Sequence, residues 1–569
     1  MSIVGIDLGA TNSLISCFRD GRPELIKNVH GEVLTPSVVS MLENGEIIVG
    51  RAAKERLYTH PHLTAAVFKR FMGTKKQYAL GTYVFTPVEL SCLVLKSLKA
   101  DAEAALGEKA EEAIISIPAY FNEQQRRATK QAGEMAGFRV EHLISEPTAA
   151  ALAYGLHQHE GDQQFMVFDL GGGTFDVSII DLFENILEVK AIAGDSQLGG
   201  EDFDQAIADY FIKKQNMQDL NTKAQSVIRE KAETVKCALS ASESAEMRVV
   251  LDDKEYSMTI TQEIFKEISE PILARVAQPV TRALDDTKLK PSDLSRVIMA
   301  GGSSRMPLIH SFAERLFGQL PLIYINPDET IALGAGVAAA LNAHNSEELE
   351  EHMMTDVCPF TLGTACQKEN IYGGKDNNVY LSVIERNSII PCSKTVLMCN
   401  GTAFENEFTV EVFQGEGRKA NQNLKLGKLS INIPPKPKYE ARVEVRFTYD
   451  ENGLLEVELK CLETGETKCE IVINPDNQLT QDEINNAMKH LEEIKIHPRE
   501  EQENALLLAR AGRLYEELLD ERDEINTHIG TYETSLEAQD PNQIKKARLE
   551  FAEYLDKAER QLLVPPGHS

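Results

Sequence analysis

Two short segments carry residue types suited to holding a phosphate. One is Gly5-Ile6-Asp7-Leu8-Gly9-Ala10-Thr11-Asn12-Ser13-Leu14-Ile15. The other is Val167-Phe168-Asp169-Leu170-Gly171-Gly172-Gly173-Thr174-Phe175-Asp176-Val177. Each reads as an apolar strand, Asp-Leu-Gly, a small polar turn and a second apolar strand. Glycine lets a turn backbone approach a phosphate closely and aim its N–H groups at the oxygens. Thr11 and Thr174 add hydroxyl donors. Asp7 and Asp169 would repel a phosphate, so they imply a cation in between. Mg2+ suits that place, because it keeps several waters and needs few carboxylates. Either segment alone reads better as an ordinary glycine-rich hairpin. Their repetition about one domain length apart predicts two similar lobes, each offering one hairpin to a shared cleft.

The elements that must position these turns fall into three regimes. Residues 1 to about 345 alternate β-branched runs with helical runs, an α/β signature. Ala113-Ile114-Ile115-Ser116-Ile117 ends at Pro118, and Arg296-Val297-Ile298-Met299-Ala300 ends at Gly301. Residues 346–356 form a charged hinge. From 357 to about 476 the strands are short and alternating, as in Phe408-Thr409-Val410-Glu411-Val412-Phe413 and Ala441-Arg442-Val443-Glu444-Val445-Arg446-Phe447. Asp450-Glu451-Asn452-Gly453 signals a hairpin, and the region predicts an antiparallel β-sandwich. The last regime is helical. Thr480 and Glu483 form a capping box, Pro541 opens a later helix, and Leu507, Leu514, Leu518, Ile525 and Ile529 recur at helical spacing. Residues 565–569 read as a frayed tail. Gly334-Ala335-Gly336-Val337-Ala338-Ala339 fits a dinucleotide fingerprint, but no strand precedes it. Small residues for close helix packing explain it better.

Composition narrows the function. The 569 residues suggest about three or four domains. Lys plus Arg is 59 against 88 Asp plus Glu, a net charge of −29. That field argues against a nucleic-acid partner, whereas local backbone donors and a metal still admit a nucleotide. The nine cysteines show no Cys-x-x-Cys pair and read as reduced thiols of a cytoplasmic protein. The N-terminal run is interrupted by Asp7 and does not read as a signal peptide. Ile331 to Leu341 is too short to span a membrane, so no membrane association is expected.

Further motifs stand in order: Ile117-Pro118-Ala119-Tyr120-Phe121-Asn122, Glu146-Pro147-Thr148-Ala149-Ala150-Ala151, Gly199-Gly200-Glu201-Asp202-Phe203-Asp204 and Gly301-Gly302-Ser303-Ser304-Arg305-Met306-Pro307. Val383-Ile384-Glu385-Arg386-Asn387 and Gln414-Gly415-Glu416 follow. With the two hairpins they resemble the seventy-kilodalton heat-shock (DnaK-like) chaperone family over essentially the whole chain. Within it the sequence looks most like the specialised bacterial HscC type. The resemblance implies an α/β actin-like (ribonuclease H-like) two-lobed ATPase domain at 1–345 and a linker at 346–356. A peptide-binding β-sandwich at 357–476 and a short α-helical lid at 477–564 would follow. It implies a monomeric ATPase using ATP/ADP, Mg2+ and K+ to clamp extended apolar segments of unfolded client polypeptides.

Residue by residue, the resemblance makes Lys69 the catalytic lysine beside the γ-phosphate and the attacking water. Asp7, Glu146, Asp169 and Asp176 would form the Mg2+ shell and orient the nucleophile, with Asp7 and Asp169 holding the ion through water. Thr11 and Thr174 would donate to phosphate oxygens. Gly9, Ala10, Asn12, Gly171, Gly172, Gly173, Gly199, Gly200 and Glu201 would line the nucleotide. Glu233, Lys236 and Ser240 share one helix face, which the family uses for adenosine. Gly301, Gly302, Ser303 and Arg305 would close the other side, with Asp328 nearby. Without the resemblance that face is a solvated stripe, Lys69 a surface residue and Glu146 a helix N-terminal charge. Pro118, Arg126 and Asp356 resemble the relay from nucleotide to hinge.

Departures from the family pattern are informative. Ala10 stands where Thr is usual, which removes a hydroxyl. Cys237 replaces an adenine-stacking Arg. The stretch from Lys69 to Pro118 is shorter. His142 and Ser145 replace residues that dock J-domain partners, and Met353-Met354-Thr355-Asp356 replaces a Leu run. These point to a dedicated J-domain cochaperone, with a nucleotide exchange factor as a further partner. Phe408, near Met398 and Gly401, either narrows the peptide pocket or is a core ring. The rival readings are a filament protein or sugar kinase of the same ATPase fold, and a binding module that does not hydrolyse. Neither a filament nor a kinase accounts for the regions after residue 357.

Overall fold

In the computed structural model the first glycine segment forms a hairpin. Ser2–Asp7 pairs antiparallel with Asn12–Arg19, ending at Asp7 opposite Leu14. Ala110–Ile117 lies parallel to Ser2–Asp7 on its other side. The second segment repeats this arrangement. Gln163–Leu170 pairs antiparallel with Phe175–Phe183, ending at Leu170 opposite Phe175, and Arg296–Ala300 lies parallel to Gln163–Leu170. The parallel strands are nearly continuous apolar runs because both of their faces are covered. The structure describes residues 2–154, 163–183, 186–251, 254–322, 325–342, 353–369, 375–450, 455–472, 502–518, 521–537 and 541–563.

Helices Glu146–Ala153 and Thr330–Asn342 pack against each other between the two sheets. A Cβ at Gly334 would overlap the Ala149 carbonyl oxygen, and one at Gly5 would overlap the backbone of Ala335 and Gly336. The Gly-Ala-Gly run therefore serves close packing and binds no dinucleotide phosphate there.

Two four-stranded antiparallel sheets follow. One has Lys375–Ile384, Leu362–Glu369, Glu407–Gln414 and Leu424–Asn432 in that order. The other has Cys392–Cys399, Arg442–Tyr449, Leu455–Cys461 and Thr467–Ile471. They share one apolar cluster that includes Phe408, Leu429, Phe447 and Leu459. Tyr449 opposite Leu455 brackets the expected hairpin, whose tip at 451–454 lies outside the described residues.

The segment read as a charged hinge is described only at its end. Met353–Val357 is a strand, parallel to the start of Ile186–Asp195 and antiparallel to Ile389–Ile390. An open sheet edge offers backbone partners that outweigh a weak local preference. Residues 346–352 lie outside the described residues.

The helical region is also divided differently from the sequence reading. Gln502–Glu517, Arg522–Glu537 and Pro541–Leu563 are separate helices. Leu507 and Leu514 belong to the first and Ile525 to the second, all buried in one cluster with Leu518 and Ile529 alongside. Thr480, Glu483 and the tail at 565–569 lie outside the described residues. All nine cysteines are free, and no described helix is long and apolar enough to cross a membrane.

Candidate functional site

The two hairpins meet tip to tip. A Cβ at Gly172 would overlap the Thr11 side chain, and one at Gly173 would press on the Ala10 methyl. Only glycine allows this approach. The first turn is fixed by Ser37, whose Oγ donates to the Gly9 carbonyl at 2.8 Å and whose N–H donates to Thr11 at 2.8 Å. The second is stitched to the N-terminus of helix Gly200–Lys214. There the Gly200 N–H reaches the Gly171 carbonyl at 3.0 Å, and the Glu201 N–H reaches Gly172 at 2.9 Å. Between the hairpins lies a cleft of about 570 Å³.

The floor of the cleft is acidic. Lys69 Nζ donates to Glu146 Oε1 at 2.7 Å, with both side chains buried. Asp7 accepts from Ser116 Oγ at 2.9 Å, and Asp176 accepts from the Tyr120 N–H at 3.1 Å. Burial, reinforced by the Glu146 charge, pushes the Asp7 carboxyl up to about 7 and that of Asp176 up to about 8. Asp169 is raised well above its ordinary value by burial and then by Glu146, Asp176 and Asp7. Four carboxylates thus share one lysine, a deficit that a bound cation would fill. Among the described residues no three His, Cys, Asp or Glu side chains form a metal cage. The set fits Mg2+, which leans on waters and substrate phosphates rather than on an all-protein shell.

Of the residues singled out from sequence, the cleft wall gathers Asp7, Gly9, Ala10, Thr11, Asn12, Lys69, Glu146, Asp169, Gly171, Gly172, Gly173 and Thr174. Gly200, Glu201, Glu233, Lys236, Ser240, Gly301, Gly302, Ser303, Arg305 and Asp328 complete it. Asp176 and Gly199 stand behind the wall. Helix Thr222–Ala238 presents Glu233 and Lys236. Lys236 donates to Asp204 at 2.8 Å and to the Gly200 carbonyl at 3.1 Å, which ties the helix to helix Gly200–Lys214. Across the cleft Arg305 pairs with Asp328 at 2.9 Å. Cys237 lies on the same wall.

Sequence reasoning gave no role to Arg70, Asp202 or Asp204. Arg70 donates to the Gly173 carbonyl at 2.7 Å and pairs with Asp202 at 2.9 Å. Asp202 also accepts from the Gly199 N–H at 2.8 Å. An acid at the third position of a helix is a readable capping signal; the Arg70 contact has no local signature. Burial lifts Asp204 to about 7 in spite of Lys236.

Pro118 and Arg126 are buried beneath Tyr120 and Phe121. The Phe121 N–H donates to Pro118 at 3.1 Å, and Arg126 Nε donates to the Phe121 carbonyl at 3.3 Å. Burial raises the Asp356 carboxyl, and the Arg126 charge opposes the rise. The Tyr120 ring lies 4.3 Å from that of Phe360, at the start of the β region. In that region Phe408 is 7% exposed and belongs to the shared core, with Met398 packed alongside and Gly401 accepted by Glu405 through its N–H at 3.1 Å.

Two similar lobes thus close glycine turns over one acidic cleft. A family model for Hsp70 protein matches residues 3–563, and the chain belongs to the Hsp70 family. Members are ATP-dependent chaperones that bind nucleotide with Mg2+ and work on unfolded clients with cochaperones.

Proposed function

We propose that this chain hydrolyses ATP between its two lobes and uses the cycle to bind and release apolar segments of unfolded proteins. The observation that carries this reading is Lys69, the one cation among the described residues set among Asp7, Glu146, Asp169 and Asp176 where the hairpins meet. A positive charge there acts where charge develops during phosphoryl transfer. Glu146 holds the ammonium in place, and Asp176, fixed by the Tyr120 N–H, is placed to orient the attacking water. Thr11 and Thr174 would donate to phosphate oxygens, and Asp7 and Asp169 would hold Mg2+. Bound Mg2+ would neutralise the phosphate oxygens and leave transfer to this preset pocket. Glu233, Lys236, Ser240, Ser303 and Arg305 take the adenosine, and Pro118, Arg126 and Asp356 carry the nucleotide state to the β region.

The finer reading is an actin-like ATPase domain at 1–345, a peptide-binding β-sandwich at 357–476 and a helical lid, in a cytoplasmic HscC-type chaperone. K+ would be its second ion, and a dedicated J-domain protein and an exchange factor its partners. The narrow client range draws no support from Phe408, which packs in the shared core with Met398 alongside; it rests on the departures at His142 and Ser145. A filament protein or sugar kinase is not favoured, because the family match runs on through the β-rich and helical regions.

Steady-state ATPase and nucleotide-titration measurements on the wild type and Lys69→Ala test the reading. Turnover should fall on the order of 10²-fold or more while nucleotide is retained. Equal rates would sink the catalytic assignment.

A further inference from the structure

The short helical turn Phe68–Phe71 sends two neighbouring cations in different directions. With about three residues per turn, successive side chains diverge widely. Lys69 points to Glu146 on the cleft floor. Arg70 reaches the second hairpin, where its Nε donates to the Gly173 carbonyl at 2.7 Å and its Nη2 pairs with Asp202 at 2.9 Å. Gln197 Nε2 donates back to the Arg70 carbonyl at 3.1 Å. Arg275, from helix Gln262–Thr287, pairs with Asp202 at 3.3 Å and donates to the Gln197 carbonyl at 3.1 Å. Arg70, Asp202, Arg275 and Gln197 thus close a ring of contacts. Val67 enters the turn at φ 56°, a left-handed conformation that a β-branched residue rarely adopts. Such strain persists only where the surroundings over-determine it, and here Glu146 and the second hairpin hold the segment on two sides.

The Gly173 carbonyl and the Thr174 N–H belong to one planar peptide and point in opposite directions. Fixing the carbonyl on Arg70 therefore turns the N–H away from Arg70 and sets the start of Thr174, which lines the cleft with Lys69. Arg70 itself does not line the cleft. We propose that Arg70 is a positioning residue for phosphoryl transfer, which brings Lys69 of the first lobe into register with the Gly173-Thr174 turn of the second. A planar fork bonded at once to a carbonyl and a carboxylate fixes distance and orientation together, which a lysine ammonium in its place cannot do. The inference rests on the nucleotide reading of the cleft.

Steady-state ATPase rates and ATP titrations on the full-length chain test the role. Arg70→Met should lower kcat about 10–100-fold, the scale on which a small misplacement acts, with ATP affinity within about threefold of the parent. Arg70→Lys keeps the charge and loses the fork, so it should recover less than about threefold of that loss. Asp202→Asn should lower kcat about threefold alone and less than about twofold on top of Arg70→Met, because both act through one bridge. Hydrogen exchange without nucleotide gives a readout that needs no turnover. Arg70→Met should speed exchange at residues 171–174 and leave the strand Arg442–Tyr449 at the parent's rate. The role is overturned by a kcat within about twofold of the parent in Arg70→Met or Arg70→Lys, or by a loss of affinity with kcat unchanged. A parent that does not hydrolyse ATP would instead overturn the nucleotide reading, and exchange at 171–174 would still report whether Arg70 holds the turn.

Discussion

The acidic cleft and the seat of helix Gln502–Glu517 are both buried acid clusters, and they are balanced in opposite ways. In the cleft, Asp7, Glu146, Asp169 and Asp176 face Lys69 alone. At the seat, Glu55, Glu230, Glu517 and Glu559 face Lys231, Arg510 and Arg513. The cleft leaves a negative surplus in low dielectric, which favours a cation brought by a ligand. The seat supplies its cations from the chain itself and closes without help. A surplus of buried charge marks where the protein binds from outside, and near-balance marks where it binds itself.

The contrast breaks first at Arg513. Arg513→Ala leaves Glu55 and Glu559 facing Glu517 without their guanidinium. Removing one partner of a buried ion pair costs about 3–5 kcal/mol, so the helix should leave its seat, as hydrogen exchange at residues 51–59 would record. Undiminished protection would show that the apolar contact of Leu506 with Val38, Ile48, Ala52 and Ala53 suffices. Asp169→Asn tests the cleft from the other side. It removes a repelling carboxylate, so the ligand-free melting temperature should not fall, while Mg2+-dependent nucleotide affinity drops roughly 10–100-fold. Unchanged affinity would contradict the surplus argument.

A pH titration sharpens the comparison. Burial pushes Glu230 up to about 8, with Glu517 and Glu55 adding and Lys231 and Arg513 opposing. Glu559 from helix Pro541–Leu563 and Glu246, Arg248 and Glu516 border the same space. A docked carboxyl raised above its ordinary 4.5 takes up a proton on docking. Its contribution is complete below 4.5 and lost as pH rises through about 8. Docking should loosen by up to about tenfold per pH unit within that window, and Glu230→Gln should flatten the profile when exchange at 51–59 is followed. The smallest effect belongs to Ala10→Ser. A restored neutral hydroxyl contributes about 0.5–1.5 kcal/mol, so turnover should change less than about tenfold, a bound that steady-state ATPase rates check.

The hairpins were legible because their chemistry is local. Asp-Leu-Gly and the following glycines specify a strand, a tight turn and a cation-holding acid within a dozen residues, and the repeat at domain spacing announced the shared cleft. The helix packing of Gly334 was legible for the same reason. The docking of helix Gln502–Glu517 was not, since Arg513 and Glu55 belong to distant parts of the chain and neither residue type announces a partner. Arg70 was hidden likewise, because its partner is a backbone carbonyl of the second hairpin. The five residues from Leu507 to Ile529 were read as one periodic run. Helical spacing on either side of a short break looks continuous in sequence, and only the return of the second helix onto the first exposes it.

The strand Met353–Val357 has one more consequence. Ile186–Asp195 would otherwise end the second sheet as a bare edge, and bare edges recruit other chains into aggregates. The connecting segment seals that edge at Ile186, Leu187 and Glu188 while it tethers the β region. The same short strand that joins the sheets to the β region therefore also shields the start of that edge from pairing with other chains.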